Sequence, residues 1–580
     1  MANRRKQSFL HGAIILAAAT VIVKIIGAIF KIPLLNLIGE DGMGYFNTAY
    51  TIFNPIYTLS IAGFPIAIAK LVAERAAKKR FRDVRRIMQT SALVFFVTGI
   101  VGMLILLIGA RPLTVIIKNP NAYLAVMVMA PTVFFGCIMS IYRGYYEGLR
   151  NMYPTAVSQV IEALGKLIFG YSLSYIIVKI GVGQFESTGV VFGQPAENLN
   201  AAYSVVLPYA AAGAIGGVTI STLLGMLYIY ISHRIRGDGI TREELRASPV
   251  PENSNIILKR LIFIAIPVCL SALMVSITSM IDLVTVMNRL GSAMNKDLDT
   301  FMGMYKDIIS QNKPLVEVPN FLYGIYSGAA MTLFNIIPSI TTTFGVSALP
   351  AVTSSWTAKD KAGTKRNVES VLRITSLVAF PAGFGMVALA QPIVNMLWSA
   401  KPATVALAPS LLQVLGFSAI LCALSTPIYS VMQAVGKMYL PVKIMLGGGA
   451  IKLVINWILV GIPSVNIHGA PIGSLSCYVF IAAASVYNLI KITRVVPDFK
   501  SVFLKPMVAA ACCGFSAWGS YYLLSKISTG KIMVLVAIGL AAVVYGVVLL
   551  LIKGISKDDL AMLPKGEKIA QILEKKGFIS

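Results

Sequence analysis

The sequence predicts an all-α polytopic membrane protein of about fourteen transmembrane helices. They form two pseudo-symmetric six-helix bundles around a central cavity, with two extra helices at the C-terminus. Three observations predict it. Hydrophobic residues make up 57% of the 580-residue chain and charged residues 13%, at a mean hydropathy of +0.77, which excludes a soluble globular protein. Basic residues are sorted by loop parity, and the two halves of the chain repeat one another.

A hydrocarbon core of about 30 Å takes about 20 apolar residues per helix, so fourteen crossings use roughly 280 residues and leave only short loops. Long apolar runs bounded by charge or by Gly, Pro and Asn clusters lie at about 8–37, 46–72, 88–110, 121–142, 155–178, 203–231 and 260–286. The others lie at about 319–350, 371–398, 405–432, 441–462, 469–490, 505–525 and 532–552. The first follows Arg4, Arg5 and Lys6 and passes Ala17-Ala18-Ala19, like a signal peptide, yet continues beyond Lys24 to Ile38. It therefore reads as an uncleaved span.

The formal charge is +26, from 50 Lys+Arg against 24 Asp+Glu. With the N-terminus inside, the cytoplasmic segments hold 34 of the basic residues and the outer segments 10. One missed helix would invert every later loop and destroy that asymmetry, so the bias supports the span assignment and places both termini in the cytoplasm of a cell with its plasma membrane as host. Topology alone accounts for most of the surplus, and nucleic acid is not implied. The segment Ala73–Arg86 can also touch anionic headgroups, at about 1 kcal/mol per basic residue near the surface.

The six cysteines, Cys137, Cys269, Cys422, Cys477, Cys512 and Cys513, fall in apolar runs and imply no disulfide framework. His11, His233 and His468 are far apart, no metal-ligand spacing is present, and Gly447-Gly448-Gly449 reads as close helix packing. Enzymatic activity and a cofactor are not expected.

The duplication rests on spacing. Phe53-Asn54 recurs as Phe334-Asn335 at an offset of 281, each followed by a glycine (Gly63, Gly345) and a proline (Pro65, Pro350). Ile141-Tyr142 recurs as Ile428-Tyr429, Met152-Tyr153 as Met438-Tyr439, and Lys166 as Lys452, at offsets of 286 to 287. Six helices per half is an even number, so the halves are parallel repeats related by an axis along the membrane normal, which suits alternating access. The expected domains are 1–232, the cytoplasmic linker 233–259, 260–491, helices thirteen and fourteen at 492–552, and the tail 553–580.

A charge at the bilayer midplane costs on the order of 3 kcal/mol and needs a partner, a wet cavity or a route to the interface. Lys70 and Lys443 lie near cytoplasmic helix ends and can snorkel. Lys24 and Lys31 sit deep in the first helix, and seven residues at about 100° each return them to within about 20° of one face. Lys166 and Lys452 lie half-way along helices five and eleven and are expected to face a shared axis. Glu162, four residues before Lys166, is placed for a helical ion pair with it. The acids in the spans are Glu162 and Asp282, so mid-membrane charge is net positive and favours an anionic cargo. The alternative is that these lysines fix helix packing.

The segment Tyr142-Arg143-Gly144-Tyr145-Tyr146-Glu147-Gly148-Leu149-Arg150-Asn151-Met152-Tyr153-Pro154, running into Ala156-Val157-Ser158-Gln159-Val160-Ile161-Glu162, and Ala348-Leu349-Pro350-Ala351-Val352 at the end of helix eight resemble the polysaccharide-transport branch of the multidrug/oligosaccharidyl-lipid/polysaccharide exporter superfamily. Within it the chain is similar to lipid II flippases of the MurJ type and to stage V sporulation protein B. The resemblance implies translocation of an undecaprenyl-pyrophosphate-linked saccharide from the inner to the outer leaflet, with basic cavity residues holding the pyrophosphate. It places Lys24 and Lys31, around Gly27, where such flippases carry cavity arginines. Lysine lacks the bidentate fork of arginine, so its grip on phosphate is less directional. The flippases also carry basic cavity residues in the eighth helix, whereas here the run from Phe321 to Pro350 has none. Lys166, Lys452 and Arg289 are left to supply that charge.

Three functions remain in play. The first is a flippase for a lipid-linked peptidoglycan or related saccharide precursor, working with membrane lipids and with cell-wall synthesis enzymes. The second is a cation-coupled multidrug exporter that uses Asp282 and Glu162. The third is a non-transporting scaffold for wall or spore-coat assembly that docks partners on its basic loops and tail. No nucleotide-binding motif is present, so transport would draw on Na+, H+, the membrane potential or the substrate gradient, with Asp282 the expected ion-responsive residue.

Overall fold

The computed structural model describes residues 9–309, 313–526 and 530–554. Arg4, Arg5 and Lys6, and the tail beyond residue 554, lie outside the described residues. Among the described residues twelve helices are long and apolar enough to cross a membrane. The expectation of about fourteen differs at two places. The first two expected spans form one 60-residue segment, Ala18–Ala77, and the seventh lies in the 43-residue helix Ser254–Lys296, which is not among the twelve. Among the described residues the fold is helical apart from one two-stranded hairpin, as the hydropathy pattern requires: in lipid a backbone must satisfy its own N–H and C=O groups.

In chain order the elements are α1 (Phe9–Ile61), α2 (Phe64–Ala77), α3 (Phe81–Ile116), α4 (Tyr123–Gly148), α5 (Tyr153–Gly165) and α6 (Tyr171–Thr188). The hairpin of β1 (Val190–Val191) and β2 (Gln194–Pro195) pairs antiparallel. Then come α7 (Leu199–Arg236), α8 (Arg242–Ala247), α9 (Ser254–Lys296), α10 (Leu298–Gly303), α11 (Val318–Ile325), α12 (Met331–Phe334) and α13 (Ile336–Thr357). The remainder are α14 (Lys361–Ala388), α15 (Ala390–Trp398), α16 (Pro402–Ala434), α17 (Leu440–Leu459), α18 (Gly469–Thr493), α19 (Lys505–Ser525) and α20 (Lys531–Leu551). They group into two compact units, the described residues of Met1–Asn288 with Pro314–Gly324, and of Arg289–Lys313 with Ile325–Ser580.

In the first unit, α1 breaks at Gly39, whose φ of 66° and ψ of −172° are open to glycine and disfavoured for any residue with a Cβ. Between α5 and α6 the chain makes a π-helical turn over Lys166–Gly170. The turn brings Gly170 against Gly217 of α7 so closely that a Cβ on Gly217 would lie 2.1 Å from the Gly170 nitrogen. Small residues at a helix crossing let backbones approach where lipid offers no hydrophobic drive. The connection after α7 folds back on the same unit. Arg82 donates to the Leu245 carbonyl at 2.9 Å, and Glu252 pairs with Arg75 at 2.7 Å and Arg260 at 3.2 Å. Asp238 accepts from Arg85 at 3.2 Å, the Tyr145 hydroxyl at 2.9 Å and the Ile240 N–H at 2.9 Å. Burial works to raise the Asp238 pKa, but these donors, led by the Ile240 N–H, outweigh it and hold the carboxyl below its ordinary value of 3.8.

In the second unit α13, α14, α16, α17 and α18 enclose a core of Val352, Leu372, Ile428, Met432 and Cys477, and α19 packs with α14 and α20. Side chains such as Phe515, Trp518, Leu523 and Ile532 stay exposed on the last two helices, as lipid-facing positions should.

The repeat is visible at turn level. After α4, Leu149, Arg150 and Asn151 donate to the carbonyls of Tyr145, Glu147 and Tyr146; after α16, Val435, Gly436 and Lys437 donate to those of Val431, Gln433 and Met432. Arg150 and Gly436 share the left-handed conformation, at φ 60° and 83°. After α2 and α13 the same Schellman pattern recurs, with Lys79 at φ 57° and Lys359 at φ 56°.

Candidate functional site

The first unit gathers three of the lysines singled out in the sequence. Lys24 and Lys31 share one face of α1, while Ile22, Ile25 and Ile29, at 46%, 52% and 50% exposure, occupy a different one that suits lipid. Between the lysines Gly27 opens on space, since a Cβ built on it meets nothing within 4 Å. Lys31 is half-buried and donates to the Asn47 carboxamide oxygen at 3.4 Å. Lys166 opens the π-helical turn and its ammonium lies over two rings of α1, 4.7 Å from the centre of Tyr50 and 5.1 Å from that of Phe30. Such cation–π contacts hold a charge on an aromatic face without neutralising it. Lys166 is the neighbouring charge of both Lys24 and Lys31, so the three form one cluster.

Glu162 does not form the expected ion pair with Lys166. Its carboxylate accepts from Arg143 at 3.1 Å and from the Thr222 hydroxyl at 3.2 Å, and Arg143 is held by the Ser158 hydroxyl at 2.9 Å. The guanidinium reaches across from α4 and outcompetes the local i,i+4 partner, which the π-helical turn carries onto Tyr50. Arg143 thus spends the nearby carboxylate and the three lysines remain in excess. An anion entering beside Gly27 meets ammonium donors, one of them resting on two aromatic rings, and the Asn47 amide.

The remaining predicted residues lie elsewhere. Lys452 is 2% exposed inside the second unit, on α17, and is partnered there. Arg289 donates to the Trp457 carbonyl at 2.9 Å and stacks 4.8 Å from the centre of its ring, at the C-terminal end of α17 where a helix favours a cation. Asp282 is 4% exposed on α9 and also partnered. Among the described residues no group of His, Cys, Asp and Glu could hold a metal ion.

Residues 9–194 match the family described as polysaccharide biosynthesis protein, and residues 327–458 match the MatE family. Stage V sporulation protein B of Bacillus subtilis (strain 168) is 22% identical over 567 residues, 96% of this chain and 98% of that one. Lipid II flippase MurJ of the same organism is 23% identical over 503 residues, 84% of this chain and 82% of that one. Among solved structures, a lipid II flippase MurJ in an inward closed conformation aligns with a TM-score of 0.59 at 13% identity, covering 93% of this chain and 98% of that one. An inward-facing multidrug resistance MATE family transporter aligns at 0.57 and 14% identity, covering 83% of this chain and 99% of that one. Along most of its length the chain is similar to proteins of the multidrug/oligosaccharidyl-lipid/polysaccharide exporter superfamily.

It is therefore a multi-pass membrane protein with the fold of superfamily transporters. The charged residues divide between the two matched regions. Lys24, Lys31, Arg143, Glu162 and Lys166 all fall in the polysaccharide-biosynthesis match, and Lys452 in the MatE match. Sequence reasoning missed Tyr50, Phe30 and Asn47 as neighbours of the lysines. The aromatic spacing Phe46, Tyr50, Phe53, Tyr57 along α1 was the available signal, and these rings contact one another in succession.

Proposed function

We propose that this superfamily transporter is a flippase that moves an undecaprenyl-pyrophosphate-linked saccharide from the inner to the outer leaflet of a bacterial plasma membrane by alternating access, with both termini in the cytoplasm. The reading is carried by the cluster of Lys24, Lys31 and Lys166, whose nearby carboxylate, Glu162, is already taken by Arg143. A pyrophosphate supplies the counter-charge that the protein withholds. An organic cation would find Tyr50 and Phe30 already covered by the Lys166 ammonium. The name of one relative, a lipid II flippase, agrees with an anionic lipid-linked cargo. Ion coupling through buried Asp282 belongs to the same proposal, with Na+ or H+ as the driving ion.

The test is binding of purified protein to lipid II, to other undecaprenyl-pyrophosphate saccharides and to an organic cation, in the parent and in Lys24→Ala, Lys31→Ala and Lys166→Ala. Selective binding of a pyrophosphate lipid that weakens in the lysine variants supports the reading. Equal binding in all variants, or preference for the cation, overturns it. For coupling, transport by Asp282→Asn that responds to sodium and pH as the parent does removes Asp282 from the mechanism.

A further inference from the structure

The turns that follow α13 and α18 border a cavity of about 600 Å³ in the second unit. Lys359, Lys361 and Arg494 line it, with Trp356 on the wall and one carboxylate, Asp360. That carboxylate is committed to the start of α14, where it accepts the Gly363 N–H at 2.9 Å. The three basic side chains are exposed, and among the described residues none has an ion-pair partner. The cavity is within the size range of small-ligand sites.

The first unit builds the corresponding corner from the same turn and then neutralises it. Lys79 matches Lys359 in conformation and hydrogen bonding. There the basic residues Arg75, Arg80 and Arg85 are answered by Asp83, Glu252 and Asp238 at 2.6 to 3.9 Å. The segment after α7 also lies across that corner, with Arg82 donating to Leu245 and its N–H to the Ser248 hydroxyl. In the second unit the N–H of Asp498, beyond α18, goes to Glu369 instead, and Lys359, Lys361 and Arg494 outnumber the one lining carboxylate, Asp360. Membrane topology accounts for basic residues at such helix ends. It does not account for three of them bordering one cavity while Arg75, Arg80 and Arg85, beside the matching turn of the first unit, are paired.

We propose that this cavity is a phosphate-binding site, taking the phosphate of an anionic lipid headgroup or of a soluble phosphate ester. Arg494 offers a fork for two phosphate oxygens, and Lys359 and Lys361 act as point charges. Trp356 suits the interfacial depth at which headgroup phosphates lie. The site shares no residue with the lysine cluster of the first unit and stands or falls apart from it.

The experiment is calorimetric titration of the purified full-length chain with three probes. These are monomeric dihexanoylphosphatidylglycerol, glycerol 3-phosphate, and dihexanoylphosphatidylcholine as the zwitterionic control. The parent is expected to bind phosphatidylglycerol saturably, more weakly as salt is raised, and better than phosphatidylcholine. The double variant Lys361→Gln with Arg494→Gln should bind at least tenfold more weakly at an unchanged melting temperature, and Lys361→Arg should retain binding. Phosphatidylglycerol binding without glycerol 3-phosphate binding identifies a lipid headgroup as the ligand; comparable binding of both identifies the phosphate ester itself. Saturable binding of neither anion, or a double variant within twofold of the parent, overturns the proposal.

Discussion

Lys166 is a charge stacked on rings rather than paired with an acid, and that geometry separates a binding role from a packing role. Its ammonium stands near Lys24 and Lys31, so removing it relieves like-charge repulsion. Lys166→Met is therefore expected to keep or raise the melting temperature while weakening pyrophosphate-lipid binding by tenfold or more; a fall in stability with unchanged binding would assign the residue to packing. Asp238 behaves oppositely. Its native pKa lies below 3.8, so its contribution to stability is complete above about pH 4 and is lost as pH falls through the depressed native value. Asp238→Asn should melt lower than the parent near neutral pH, and the gap should close in acid, as read by thermal melts across pH. The shared face of Lys24 and Lys31 was legible because helical periodicity alone sets it. The partner of Glu162 was not, because Arg143 lies on another helix and only the tertiary fold brings it to 3.1 Å.

At the level of helices, boundaries followed hydropathy, and departures came from backbone features that hydropathy does not encode. The first two expected spans run as one segment because the break at Gly39 is a single residue wide. The π-helical turn at Lys166–Gly170 leaves no mark in apolar periodicity, yet it sets where Lys166 points and how α5 and α6 meet α7. Two glycines make the contrast measurable. Gly217→Ala puts a methyl 2.1 Å from the backbone of Gly170 and should destabilise by about 1–3 kcal/mol, because neither backbone can yield. Gly27→Ala meets open space on α1 and should be neutral or stabilising by up to about 1 kcal/mol. Paired denaturation curves decide whether the Gly217 crossing is as tight as its geometry states.

For the whole chain, the strongest sequence signals were sums over many residues: composition, charge parity and the repeat. The repeat offsets of 286 to 287 reappear as matched turns at Arg150 and Gly436, where hydrogen bonds agree residue by residue. The charge parity yields a topology prediction of its own. A tag at either terminus should be reached by a membrane-impermeant reagent only after the cell membrane is opened, and labelling of intact cells would reverse the orientation. The inner surface chemistry of each half was not legible, because it depends on which loop lies over which helix ends. Arg75 to Arg86 read as a generic basic loop, and the fold shows it occupied by the segment after α7.

That occupied corner bears on how a duplicated chain diverges. Two fused copies have a single junction, and the junction must rest somewhere; here it rests on the copy that precedes it. The earlier copy's basic turn became a seat for the connecting segment, and its arginines were fixed by acids that the connector supplies. In the later copy the segment after α18 bonds Glu369 of α14 and leaves the same turn bordering a cavity. The two copies of one turn thus have different neighbours, a connecting segment at the first and a cavity at the second.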